Sequence, residues 1–423
     1  MSVPALRFKE FSGDWIQNTV QYFIDNKSIV SHLDGNHGAL YPKSSEFSVS
    51  GIPYIGATDF FNGGVDFINC KFLPEQKAKL FKKGVAKDGD VLFAHNATVG
   101  PCAILRTTFD YIVLSTTATY FRCDLNRISN SYLFNLFQSD FFVSQYSSIM
   151  SQSTRNQVPI TTQRKLFLSF PSLPEQTKIA NFLTAVDEKI TLLTQKATLL
   201  SQYKKGVMQQ IFKQELRFKD DDGQEFPEWE EKTLDEVIEQ MQSGVSRLLN
   251  DSDIGLPVIR SNNLINGKLD VSEIKYWHLS DNQGVNLANY FLKEGDLLVN
   301  FINSLAQIGK VALYEDLLNR DTIFTTNIMR LSFKKNVNHR FVFCYFQTND
   351  YTQHIQAITK PAVNQASFTT KEFKTLKVPF PSLPEQTKIA NFLTAIDEKI
   401  TNTQNQLNAV KQYKQGLLQQ MFV

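Results

Sequence analysis

Apolar side chains recur in alternating steps of four and three along two stretches of this chain. The first series is Ile179, Leu183, Val186, Ile190, Leu193, Ala197, Leu200, Lys204, Val207 and Ile211. The second is Ile389, Leu393, Ile396, Ile400, Thr403, Leu407, Val410, Lys414, Leu417 and Met421. A mean step of about 3.5 residues is the seam of a coiled coil. No proline or glycine interrupts either series before Gly206 and Gly416. Each opens behind Pro-Ser-Leu-Pro-Glu-Gln. Proline is accepted in a helix's first turn but not in its interior, so Pro174 and Pro384 mark helix starts. Glu175 and Glu385 then sit against the positive end of the helix dipole. At about 1.5 Å per residue each predicted helix is roughly 55 Å long. Neither covers its own apolar stripe, and the obvious cover is the other copy. A lysine falls on the seam at the same place in both, Lys204 and Lys414. Either its stem packs while the ammonium reaches water, or it is a polar position that sets register.

The two stretches are copies. Phe170 to Ile190 reads FPSLPEQTKIANFLTAVDEKI, and Phe380 to Ile400 repeats it with Ile396 in place of Val186, 210 residues further on. The likeness continues without gaps to Phe212 and Phe422 through QYKxGxxQQxF. Leu6-Arg7-Phe8-Lys9 recurs at the same offset as Leu216-Arg217-Phe218-Lys219. In the second half this motif directly follows the first predicted helix. In the first half it opens the chain, so the helix "before" it is the one ending at Val423. The order is cyclic, with the two ends of the sequence meeting in space.

The segments between the helices are related more weakly. Gly51-Ile52-Pro53-Tyr54-Ile55 matches Gly255-Leu256-Pro257-Val258-Ile259, and Asn62-Gly63 matches Asn266-Gly267, each a hairpin signal. Gly89-Asp90-Val91-Leu92 matches Gly295-Asp296-Leu297-Leu298, and Gly100 pairs with Gly309. Short β-type runs alternate with helical ones such as SYLFNLFQSDFF. The expected fold is α+β: two globular domains of one fold, residues 1–168 and 216–378, separated by long-helix segments 169–215 and 379–423. These helices are expected to pack on each other about a pseudo-two-fold axis.

Composition narrows the picture only slightly. With 42% apolar and 20% charged residues the chain is ordinary globular protein, and a net charge of +2 neither demands nor excludes nucleic acid. No signal-peptide-like apolar run opens the sequence and no apolar stretch is long enough to span a bilayer, so a cytoplasmic protein without a membrane partner is expected. Cys70, Cys102, Cys123 and Cys344 lie far apart and read as buried free thiols, not a metal site. Catalytic signatures are missing. There is no phosphate-cradling GxxxxGK[ST], no HExxH, and the six histidines are scattered. Asp66 with Glu75-Gln76-Lys77 only loosely spells a metal-dependent nuclease motif and has no counterpart in the second half. No catalytic residue and no metal ligand is assigned.

Nucleic-acid candidates are better. Lys71, Lys77, Lys79, Lys82, Lys83 and Lys87 form a basic stretch, with Lys82 and Lys83 as candidate phosphate contacts; a solvated helix face is the alternative. The loop before each long helix keeps Asn-Gln and a later Thr-Thr beside a basic residue: Arg155, Asn156 and Gln157 in the first, Lys360, Asn364 and Gln365 in the second. Asn and Gln suit adenine edges and Arg suits guanine, while loop-stabilising hydrogen bonds are the alternative. The loops after the Gly-Asp strands add Asn96 and Thr98, and Asn303 and Ser304.

The doubled PSLPEQTKIANFL motif, each copy leading a long helix and preceded by a variable domain, resembles the specificity subunit of type I restriction-modification systems; GIPYIGATDF with its later GDVLF is similar to that family more loosely. The resemblance covers essentially the whole chain. It implies two target-recognition domains, each reading one half of a bipartite sequence in double-stranded DNA, with the helices forming an antiparallel coiled coil that sets the spacer. It also implies two methyltransferase subunits docked on the repeated segments, and restriction subunits completing the complex. S-adenosylmethionine, ATP and Mg are then expected on those partners and no cofactor on this chain, which is non-catalytic. The rivals are a self-sufficient DNA-modifying enzyme, against which the absence of an [DNS]PP[YFW] motif counts, and a coiled-coil scaffold with no DNA role.

Overall fold

The structure, a computed structural model, describes residues 3–151, 156–362 and 365–423. The chain divides into two compact units, one of Met1–Gln195 with Gln404–Val423 and one of Lys196–Thr403. The long helices, Leu173–Phe212 and Leu383–Gln420, each begin at the Leu-Pro that the sequence marks. Each helix gives one half to each unit, so residues 169–215 and 379–423 do not stand as separate bodies.

In the first unit an antiparallel sheet runs Ile29–Asp34, Ala118–Cys123, Val91–Asn96, Thr98–Ile104. A second sheet runs Lys71–Leu73, Ile52–Ile55, Ile112–Leu114, Val85–Ala86, with its middle pair parallel. Alternation along Val91–Asn96 sends side chains to two cores, as a strand with both faces covered must. Val91 and Phe93 join Phe121, Phe137, Phe142 and Tyr146 under the helices Asn130–Gln138 and Asp140–Met150. Leu92 packs with Ile55, Ile112 and Leu114 of the second sheet. The other unit repeats the plan with Leu297 and Val299 in one core and Leu298 in another. Its sheets run Ile238–Ser243, Ile328–Phe333, Leu297–Asn300, Val311–Leu313, and Lys275–His278, Gly255–Ile259, Ile323–Phe324. Both Asn-Gly turns have positive φ at both residues, 49° and 75° at Asn62-Gly63 and 51° and 79° at Asn266-Gly267. That is the mirror-image turn matching hairpin twist.

The seam residues are covered, but not by helix alone. Ile179, Leu183 and Val186 are buried among Leu417, Leu418, Met421 and Phe422 and also against Trp15, Tyr132 and Phe170 of the globular part; Ile190 and Val410 pack at the edge of this core. In the second unit Ile389, Leu393 and Ile396 meet Val207, Met208, Ile211 and Phe212, with Ile400 alongside and Leu200 half-buried. The helices run antiparallel. Phe422 and Phe170 both lie against Tyr132, while Lys414 further back along one helix meets Asp187 further forward along the other. The seam lysines do not escape to water. Lys414 Nζ lies 2.8 Å from Asp187 and 3.4 Å from Gln138 Oε1, and Lys204 Nζ 2.8 Å from Asp397 and 3.2 Å from Gln347 Oε1. The polar position that fixes register is therefore the apt description. It also ties each helix pair to the end of a globular-domain helix.

The cyclic order holds inside each unit. The Leu6 amide donates to the Gln420 carbonyl at 2.9 Å, as the Leu216 amide does to Gln210 at 3.1 Å. Ile16–Thr19 pairs with Phe167–Phe170, as Glu230–Thr233 pairs with Lys377–Phe380. The repeated Pro-Glu-Gln owes its identity to buried polar partners. Arg7 donates to both Glu175 oxygens, and Arg217 to both of Glu385. Gln176 accepts from the Ser129 amide and donates to Pro171, and Gln386 accepts from Asn338 and donates to Pro381.

Candidate nucleic-acid interface

Two loops distant in sequence become neighbours at one end of the first unit. The strands Val91–Asn96 and Thr98–Ile104 turn at Ala97, whose φ of 65° strains a side-chain-bearing residue and keeps the turn tight. The Ala97 amide donates to the Asn156 carbonyl at 3.0 Å, and the Val158 amide to the His95 carbonyl at 2.8 Å. These two bonds flank Asn96 and Gln157, which therefore form a non-hydrogen-bonded antiparallel pair, the kind with the closest side chains. Asn96, Thr98, Asn156 and Gln157 are thus brought together, with Thr98 and Asn156 exposed.

The second unit builds the same junction. Ile302–Asn303 pairs with Ala366–Ser367, which pairs in turn with Lys360–Pro361, and the Phe368 amide donates to the Phe301 carbonyl. Asn303, Lys360 and the strand after Gln365 come together; Ser304 and Gln365 are exposed. Arg155 and Asn364 lie outside the described residues.

The two Asn-Gln words do not occupy equivalent places. Through the matching hydrogen bonds Val158 corresponds to Phe368, so Gln157 corresponds to Ser367 and Asn156 to Ala366. Asn364-Gln365 falls two residues earlier, where the Ala362 amide bonds the Gln365 carbonyl. Thr369, one of the later threonines, caps the helix Thr370–Phe373 through Glu372. Lys360 is held 2.7 Å from the same Glu372, whose carboxyl that ammonium pulls down to about 2.

The basic stretch is not one helix face. It is a strand (Lys71–Leu73), one helical turn (Glu75–Ala78) and a loop into Val85–Ala86. Lys77 is paired with Glu46 and Lys79 with Glu75, leaving Lys82 and Lys83 exposed beside a different sheet from the Asn96 hairpin. Asp66 accepts from Asn69 instead of facing Lys77. All four cysteines are buried, and burial pushes the Cys102 and Cys344 thiols up to about 12.

Beneath the first junction lies a polar group that sequence reading misses. Gln163, 1% exposed, donates to the Val158 carbonyl (2.9 Å) and to Thr119 Oγ1 (3.0 Å), and its oxygen meets His32 Nε2 at 3.1 Å. Buried His95 stands beside the same loop, in the strand that bonds it. The corresponding places in the second unit are apolar: Phe373 for Gln163, Phe301 for His95, Met241 for His32 and Met329 for Thr119. One loop is pinned by hydrogen bonds, the other by stacked rings, with Phe368 and Phe373 5.3 Å apart. The four polar residues sit on separate elements with no common spacing. Their only sequence signal is that each faces an apolar residue in the other half.

Burial, opposed by the Gln163 hydrogen bond, pulls His32 down to about 3, and His95 is lowered by burial too. The unfolded chain takes up this proton near pH 6.5 and the native unit does not. The stabilisation is therefore complete above about pH 6.5 and is lost as pH falls toward 3, by about 1.4 kcal/mol per pH unit from His32. His32→Met, which installs the second unit's solution, should flatten the dependence of urea unfolding on pH between about 5 and 6.5. An unchanged slope would remove His32 as its source.

Among the described residues no helix is long and apolar enough to cross a membrane. The family description "Type I restriction modification DNA specificity domain" matches twice, at residues 29–202 and 227–412. The putative type I restriction enzyme MjaX specificity subunit of Methanocaldococcus jannaschii is 31% identical over 218 residues, 51% of this chain and 50% of that protein, so the chain spans about half the length of this relative. The type I restriction enzyme EcoKI specificity subunit of Escherichia coli is 19% identical over 378 residues, 85% of this chain and 80% of that one. Among solved structures, the type I restriction-modification S subunit from M. genitalium shares the fold with a TM-score of 0.57 at 14% identity, covering 100% of this chain and 99% of that one. A chain from a type I R-M system studied for complex assembly and conformational transition does so at 0.55 and 17%, covering 96% of each. With two matches that together take in most of its residues, the chain belongs to the type I restriction-modification DNA specificity family.

Proposed function

We propose that this chain is the non-catalytic reader of a type I restriction-modification complex, each unit reading one half of a bipartite target in double-stranded DNA. The observation that carries this is the same backbone junction built twice with different side chains. Asn96, Thr98, Asn156 and Gln157 stand on one, and Asn303, Ser304, Lys360 and Gln365 on the other. Phosphate contacts position a reader and carry no sequence information; differing groups on a common scaffold are what two half-sites require.

The repeat supports a second element of the proposal. Packing explains identity at buried positions. It does not explain identity at Asn181, Ala185, Glu188 and Lys189, which are exposed, as are Asn391, Ala395, Glu398 and Lys399. A partner that docks twice does explain it, and two methyltransferase subunits fit that role. S-adenosylmethionine would be theirs, and ATP and Mg would belong to restriction subunits. The paired helices would then set the spacing between half-sites, two linked readers acting as one bivalent ligand.

Methylation-aware sequencing of host DNA, with and without this gene, tests the reading. Exchanging residues 1–168 for those of a relative should change one half of the methylated motif and leave the other intact. Loss of both halves together, or a motif indifferent to the gene, counts against it.

A further inference from the structure

Resting on that reading, we propose that Gln157 is the adenine-reading residue of the first unit, standing in a cross-strand row with Asn96 and Thr98. Asn96 is register-paired with Gln157 on one side and with Thr98 on the other. Residues directly opposite on neighbouring strands share a face, so the three side chains form one short polar row at the end of the sheet. Their hydrogen-bonding capacity is unequal. Asn96 Oδ1 accepts from the Ala97 amide at 2.9 Å, while its NH2 group donates to no other described residue. The side chains of Gln157 and Thr98 bond no other described residue. Gln157 therefore offers one acceptor and one donor side by side on a fixed backbone. Adenine presents the complement in the major groove, N7 as acceptor and N6–H as donor. Asn96, its oxygen already accepting one bond and its NH2 unengaged among the described residues, suits a neighbouring purine N7 or a phosphate oxygen. In the second unit Ile302 stands for Asn96 and Ser367 for Gln157, with Lys360 paired on the far side of Ser367, and none of the three is a carboxamide. Ser367 is too short for the same bidentate contact, so the half-sites are read by different chemistry from one backbone plan.

The experiment is methylation-aware sequencing of host DNA carrying Gln157→Ala or Gln157→Glu in the otherwise intact system. Gln157→Ala should relax one adenine position in one half of the motif, with roughly 10- to 100-fold loss of discrimination there, and leave the other half unchanged. Gln157→Glu, an acceptor only, should disfavour adenine at that position and tolerate cytosine, whose N4 donates. With the motif in hand, 7-deazaadenine at that position should weaken binding by the complex of the unaltered chain and make no difference to Gln157→Ala. Among the described residues the Gln157 side chain has no hydrogen-bond partner, so thermal unfolding of both variants should match the parent. A motif that stays the same in both variants, or one that relaxes equally in both halves, overturns the assignment of Gln157. A parent strain whose methylation is indifferent to the gene instead overturns the DNA-reading function beneath it.

Discussion

Replacing Arg7 by alanine should destabilise the first unit by on the order of 3 kcal/mol, more than any other single charge removed from it. Glu175 is 1% exposed, and Arg7 reaches its two oxygens at 2.7 and 2.8 Å. Among the described residues Arg7 is the only side chain that donates to it. The same contact raises the Arg7 pKa. Without the guanidinium a buried carboxylate is left without a side-chain donor among the described residues, and the desolvation cost of the charge is no longer offset. Arg217→Ala should cost less in its own unit, because Trp229 Nε1 still donates to Glu385 at 3.0 Å. The double variant Arg7→Met, Glu175→Leu should recover most of the loss, since replacing both members removes the stranded charge. Trp15 is the one tryptophan of the first unit, so its fluorescence in urea reports the effect there. An unshifted midpoint in Arg7→Ala would show that the pair contributes nothing.

The parts of the fold legible in the sequence were those fixed by local rules or by repetition. Pro174 and Pro384 located helix starts within a residue because the constraint on proline is local. Asn62-Gly63 and Asn266-Gly267 gave hairpins for the same reason. The cyclic order followed from the LRFK repeat, which needs no energetics. The Arg7–Glu175 pair was within reach, since both residues recur at one offset, yet the acid alone suggested only a dipole contact. Sheet order was not legible. The parallel pairing of Ile52–Ile55 with Ile112–Leu114 joins strands whose patterns say nothing of their neighbours. At the candidate site each loop is legible in the sequence but not their meeting, which depends on two backbone hydrogen bonds. The Asn-Gln words misled for a related reason. Short polar pairs recur by chance, whereas the constant 210-residue offset, followed from Val158 to Phe368, gives the true correspondence of Gln157 with Ser367. The Gln163 group leaves no pattern in the sequence because a buried hydrogen-bond network has no periodicity.

Because the helix is written twice, one substitution can be made in two settings. Leu183→Ala and Leu393→Ala should each cost about 3 kcal/mol, the transfer of a buried leucine plus the cavity it leaves. Both side chains are 0% exposed and sit in the identical sequence NFLTA. Their surroundings differ. Leu183 belongs to the core of Trp15, Phe170 and Leu417, Leu393 to that of Val207, Phe212 and Phe380. Local helix propensity is therefore the same in both experiments, and any difference between the two costs measures how far each core relaxes around the gap. Since the leucines lie in separate clusters, the double variant should lose the sum within about 0.5 kcal/mol, each loss appearing in its own unit's transition. If the loss instead appeared wholly in one transition, or the double variant lost much less than the sum, the two cores would not be independent. The assignment of one half of each long helix to each unit would then have to be abandoned.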